Sequence, residues 1–78
     1  MDIKAFDLYV GQQVRAARIE AGMTQTELGT AIGLSGSSAQ TKVVRIESGV
    51  SAIDFSRIVL IAKATKKSLY WFTGDFLR

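Results

Sequence analysis

The side chains in this sequence that could do chemistry are hydrogen-bonding ones, and they gather in one place. Gln40, Thr41, Lys42 and Arg45 stand close together, just after the turn-forming run Ser35, Gly36, Ser37 and Ser38. Amides, hydroxyls, ammonium and guanidinium groups suit recognition of a polar or anionic surface. Catalysis would need other parts. The chain has no histidine and no cysteine, which removes imidazole bases, thiolate chemistry, disulfides and most transition-metal sites. Aspartates and glutamates are present, but no spacing argues paired carboxylates, a nucleophile with its base or a phosphate-binding loop. No enzyme activity, cofactor, metal site or small-molecule ligand is therefore expected.

Such a cluster needs elements to present it, and the flanking pattern supplies two short helices. Thr24-Gln25-Thr26-Glu27 is a capping box, in which the Thr24 hydroxyl accepts from the Glu27 amide while the Glu27 side chain reaches back to the Thr24 amide. Leu28 and Ile32 give the helix a buried face, and Gly33 ends it. A turn follows over residues 34–38, where Ser37 precedes Gln40 by three positions and makes a second possible capping box. The next helix is expected from about Ser38 to Ser48, stopped by Gly49. Its spacing turns Ala39, Val43 and Ile46 inward and leaves Gln40, Thr41, Lys42 and Arg45 outward. Val44 also points outward in this register. Two short helices joined by a tight turn are a device for presenting the second to a groove.

The remaining chain reads as support. Phe6, Val10, Val14, Ala17 and Ala21 recur at helical spacing and predict a first helix over Asp2 to Ala21, stopped by Gly22. Asp54 can cap a fourth helix to about Thr65, with Phe55, Ile58, Val59, Ile61 and Ala62 apolar, although the β-branched run at 58–61 leaves a strand as the local alternative. Ser68 can cap a short fifth helix, Leu69 to Phe72, before Gly74. Tyr70, Trp71, Phe72, Phe76 and Leu77 then crowd the C-terminus, with Trp71 the expected plug of the core. The excess apolar surface suits a two-fold contact between copies.

Seventy-eight residues, 47% hydrophobic and 22% charged, describe one folded domain over residues 1–78. A domain this small buries only about 60% of its unfolded surface, so a partner subunit would help it. The apolar run Ile58 to Ala62 is far short of the roughly 20 residues that span a bilayer, and no signal pattern precedes it. A cytoplasmic protein with no membrane partner is expected. The net charge of +3 is compatible with a polyanion.

A longer series of residues carries a family resemblance. Gly11, Val14 and Arg18 are followed by Ala21-Gly22-Met23-Thr24-Gln25, Glu27-Leu28, Gly33, Val43, Ile46-Glu47-Ser48-Gly49, Ile61-Ala62, Trp71-Phe72 and Thr73-Gly74. From Val10 to Gly74 the chain resembles the Cro and phage-repressor type of helix-turn-helix protein, also called the xenobiotic-response-element type. Three departures stand out. The segment from Leu34 to Val43 is longer than the family pattern by about one helical turn, Gly29 replaces the usual alanine, and the ending after Trp71 is shorter.

The resemblance implies an all-α, compact five-helix lambda-repressor-like domain, with the helix-turn-helix at about 24–48, binding the major groove of double-stranded DNA as a homodimer. By position Gln40, Thr41 and Arg45 match the base-reading sites, with Lys42 beside them. Glutamine can pair with adenine, arginine or lysine with guanine, and a threonine methyl with a thymine methyl. Gln25 is implied to hold a phosphate at the start of its helix. Ser37 and Ser38 could bind phosphate or cap their helix. Arg18 and Glu47 match a structural ion pair between the first and third helices, and Tyr70, Trp71, Phe76 and Leu77 are the expected dimer contact. Lys63, Lys66 and Lys67 read as a solvated face. The expected function is a transcriptional regulator, most simply a repressor acting on a palindromic operator and regulated by its own concentration. The competing expectation is a module that keeps this scaffold but binds a protein, such as a toxin, a polymerase subunit or a bridging factor.

Overall fold

The computed structural model describes the backbone of residues 3–77 and the side chains of residues 3–74. Every element among them is a helix: α1 (Ile3–Glu20), α2 (Gln25–Ala31), α3 (Ser37–Glu47), α4 (Phe55–Thr65) and α5 (Leu69–Leu77). The expected start at Asp2 lies outside the described residues.

Local chemistry explains most of the boundaries. At α2 the Glu27 amide donates to Thr24 Oγ1 at 3.0 Å and the Thr24 amide donates to Glu27 Oε1 at 2.7 Å, so both halves of the capping box form. At α4 the Arg57 amide donates to Asp54 Oδ1 at 2.8 Å. The β-branched run of α4 is helical because Ile58, Ile61 and Ala62 share one buried stripe. Phe55, by contrast, is 73% exposed and takes no part in the core. The Trp71 amide donates to Ser68 Oγ at 3.2 Å at the start of α5.

Helix α3 departs from expectation at its start. Ser37 and Gln40 form no capping box: the N-cap is Gly36, with φ 63° and ψ −152° and no side-chain hydrogen bond. That backbone conformation is essentially restricted to glycine. Ser37 and Ser38 are thus the first helical residues.

The core is made by Val10, Val14 and Ala17 of α1, Leu28 and Ile32, Val43 and Ile46 of α3, Ile58, Ile61 and Ala62 of α4, and Phe72 of α5. Phe72, not Trp71, is the plug. It is fully buried, whereas Trp71 is half-buried and meets its ring edge-on at 5.1 Å between centroids. Two adjacent positions on a helix differ by about 100° in direction, so only one of the pair can face inward. Trp71 is instead held at the rim, where its carbonyl accepts from Gln13 Nε2 at 2.9 Å and Lys67 Nζ lies 4.9 Å from its ring centroid. Nor does Gly74 end α5. It lies inside the helix beneath the Tyr70 ring, where an added Cβ would stand 2.6 Å from Tyr70 Cε1.

Candidate nucleic-acid interface

The site begins with a buried carboxylate. Glu47, at the end of α3, is 8% exposed and accepts from three donors: Arg18 Nε at 2.6 Å, Arg18 Nη2 at 3.3 Å and Gln25 Nε2 at 3.2 Å. Arg18 Nη1 donates onward to the Met23 carbonyl at 3.0 Å. Glu47 and Arg18 together therefore join α1, the α1–α2 turn, α2 and α3. Such a charge is stable in the interior because it is paired and its oxygens are satisfied. The expected ion pair of Arg18 with Glu47 is present. Sequence reasoning did not include the bond from Gln25, which gives one amide N–H to Glu47 and retains a second for another acceptor.

Two glycines bring α3 close to its supports. A Cβ on Gly11 would overlap the Ile46 carbonyl oxygen and lie 2.9 Å from that of Glu47. A Cβ on Gly29 would overlap the Ala39 carbonyl oxygen and lie 2.8 Å from Ala39 Cβ. Gly11 thus admits the C-terminal end of α3 and Gly29 its N-terminal end. Gly29 lets α2 meet the first turns of α3, where Ala39 lies.

Outward from these supports, Gln40, Thr41 and Arg45 are exposed and Lys42 is half-buried. Thr41 and Arg45 share one face, four residues apart. Gln40 and Lys42 flank that face on opposite sides, since two helical steps turn the chain by about 200°. Several donors are already engaged. Thr41 Oγ1 donates to the Ser37 carbonyl at 3.1 Å, Ser38 Oγ to the Ser35 carbonyl at 2.7 Å, and Arg45 Nε to Ser51 Oγ at 3.3 Å. The fold corresponds to two short helices with α3 presented outward, and the helix-turn-helix family model matches residues 14–72.

The chain belongs to the helix-turn-helix family, of the Cro/C1 type. It is also similar to an uncharacterized HTH-type transcriptional regulator, y4wC, of Sinorhizobium fredii (strain NBRC 101917 / NGR234), at 37% identity over 73 residues. That match covers 94% of this chain and 48% of the relative, so the chain spans about half the length of the curated relative it matches. No solved structure matches it. Within this frame the Glu47 cluster ties α3 to α1 and α2.

Electrostatics around α3 are set by its flanks. The Asp54 carboxyl is held below its ordinary range, chiefly by the Arg57 amide it accepts from, then by the Ser56 hydroxyl, with the positive charges of Arg57 and Lys42 adding to the effect. At the other end of the molecule Lys67 Nζ pairs with Glu20 Oε1 at 2.7 Å, which ties α1 to the segment before α5. Tyr70 is 65% exposed. Phe76 and Leu77 lie in α5, but their side chains fall outside those described. Among the described residues no helix is long and apolar enough to cross a membrane, and no cluster of acidic side chains could hold a metal ion.

Proposed function

We propose that the chain is a sequence-specific DNA-binding transcriptional regulator that inserts α3 into the major groove. The observation that carries this reading is the contrast across α3: Glu47 is buried and locked to α1 and α2, while Gln40, Thr41 and Arg45 remain exposed on the outward side. A rigid helix with a free polar face is what reading base edges requires. Gln40 offers an amide for adenine, and Arg45 keeps its terminal nitrogens for guanine. Lys42, on the flank, is suited to a base edge or to the adjoining backbone.

Gln25 opens α2, and its second amide hydrogen together with the positive end of the helix dipole suits a phosphate. Ser37 and Ser38 open α3 with no side-chain cap ahead of them, so their amides, with the Ser37 hydroxyl, are suited to a second phosphate, while the Ser38 hydroxyl donates to the Ser35 carbonyl. The regulator works as a homodimer through Tyr70, Trp71, Phe76 and Leu77, and two copies of α3 meet half-sites about 34 Å apart on a palindromic operator. It represses by excluding polymerase, in the cytoplasm and on the nucleoid when bound.

The test is a titration of the chain against the DNA flanking its own gene at several salt concentrations. Symmetric footprints are expected, with affinity falling by about 0.9 log units per log unit of salt for each phosphate neutralised. Binding that ignores sequence, or none, would favour a protein partner for this scaffold instead.

A further inference from the structure

The middle of the outward face of α3 is apolar. Val44 is 42% exposed and lies three residues after Thr41, on the same side of the helix. Three hydroxyls of α3 and its C-cap donate back into the chain: Ser38 to the Ser35 carbonyl, Thr41 to the Ser37 carbonyl and Ser48 Oγ to the Arg45 carbonyl at 3.1 Å. With its hydroxyl hydrogen engaged, Thr41 has its side-chain torsion fixed, and it offers a partner its methyl and a lone pair. Val44 offers only methyls. Both are β-branched and already restricted in rotamer on a helix, so ordering them on a partner costs little. The donors that could pair with a base edge, Gln40 and Arg45, stand to either side.

Only one base presents an apolar group in the major groove, and that is thymine, through its methyl. We infer that Val44 and Thr41 together form a thymine-methyl reader at the centre of the recognition face, and that Val44 is a specificity-determining residue. This rests on the DNA-reading role proposed above. It adds a requirement to that role: the bound sequence carries thymine at a fixed position in each half-site, read by contact of methyl groups and not by a hydrogen bond.

The test uses the full chain and DNA duplexes selected by it from a random-sequence library. Each thymine of the selected duplex is replaced singly by deoxyuridine, which removes the methyl and leaves every hydrogen-bonding group. At one thymine per half-site the affinity should fall about fourfold, the value of one methyl-sized group removed from water. Val44→Ala changes both half-sites of the homodimer at once, so it should bind the thymine duplex more weakly by about fourfold per half-site, and it should distinguish the two duplexes less than the wild type does. Val44→Ile, which keeps the methyl surface, should retain the distinction. Because the residue is exposed, both variants should keep the wild-type melting temperature. Deoxyuridine tolerated at every position, or undiminished discrimination by Val44→Ala, would overturn the inference while leaving DNA binding intact. A selection that yields no preferred sequence would overturn the DNA-reading role itself, and this inference with it.

Discussion

The two ends of α3 are held by different means. Its C-terminal end is fixed by a buried carboxylate with three donors, and by the close approach of Gly11 to the carbonyls of residues 46 and 47. Its N-terminal end has no side-chain cap. It enters through the glycine-only conformation of Gly36, packs on Gly29 and satisfies its hydroxyls on its own backbone. The contrast teaches how one short helix can be both scaffold and reading surface. Stability is invested on the side of α3 that meets α1 and α2, and the exposed polar side chains are left on its outward side.

The largest effect separating the two ends should come from Glu47→Ala. It strands Arg18 in a poorly hydrated position, and breaking a buried pair on one side costs about 3 to 5 kcal/mol. Urea unfolding should show that loss, with DNA binding falling only as the fold is lost. A variant that keeps its melting temperature but not its DNA would mean that Glu47 acts at the interface instead.

Gly29→Ala probes the other end. Alanine gains about 1 kcal/mol of helix propensity, but its Cβ overlaps the Ala39 backbone, and forced overpacking costs about 1 to 3 kcal/mol. Net destabilisation with an altered position of the first turn of α3 is expected, visible as a lower urea midpoint. A stabilised variant would show that the two helices can separate freely at this glycine.

Smaller again is Lys67→Ala. The Glu20 partner is largely exposed and such pairs contribute less than about 1 kcal/mol, to which the contact over Trp71 adds a similar amount. The melting temperature should fall slightly, and less at high salt. The smallest effect concerns pH. The folded state depresses the Asp54 pKa, so the stabilisation it brings is complete above its ordinary value of 3.8 and is lost as pH falls through the lower folded value. Asp54→Asn keeps a capping acceptor but cannot titrate. Acid unfolding of this variant should be less steep below about pH 4 than that of the wild type.

What could be read from the sequence follows from how local each cause is. The capping box at Thr24 and Glu27 and the cap at Asp54 depend on residues three apart, and both formed as their spacing required. The pair of Arg18 with Glu47 was legible only through the family resemblance, because nothing local joins residues 29 apart. Choices between near-equivalent neighbours were not legible. Trp71 and Phe72 are both large and aromatic, and the core decides between them by direction. Serine hydroxyls commonly cap helices, so the serine run predicts a serine cap for α3, yet Gly36 supplies a conformation essentially restricted to glycine. Gly74 looked like a stop, but a Tyr70 ring lying over it makes it a packing position. Gln25 was placed at a phosphate; its bond to Glu47 needed the fold to bring α2 and the end of α3 together.

The central claim is that the outward face of α3 reads sequence while its buried end carries the fold. Arg45→Ala, measured in parallel for melting temperature and for affinity to the selected duplex and to a scrambled one, tests this most directly. The account predicts an unchanged melting temperature, a loss of about 1 to 3 kcal/mol on the selected duplex and a smaller loss on the scrambled one. Equal affinity of variant and wild type for the selected duplex would contradict it.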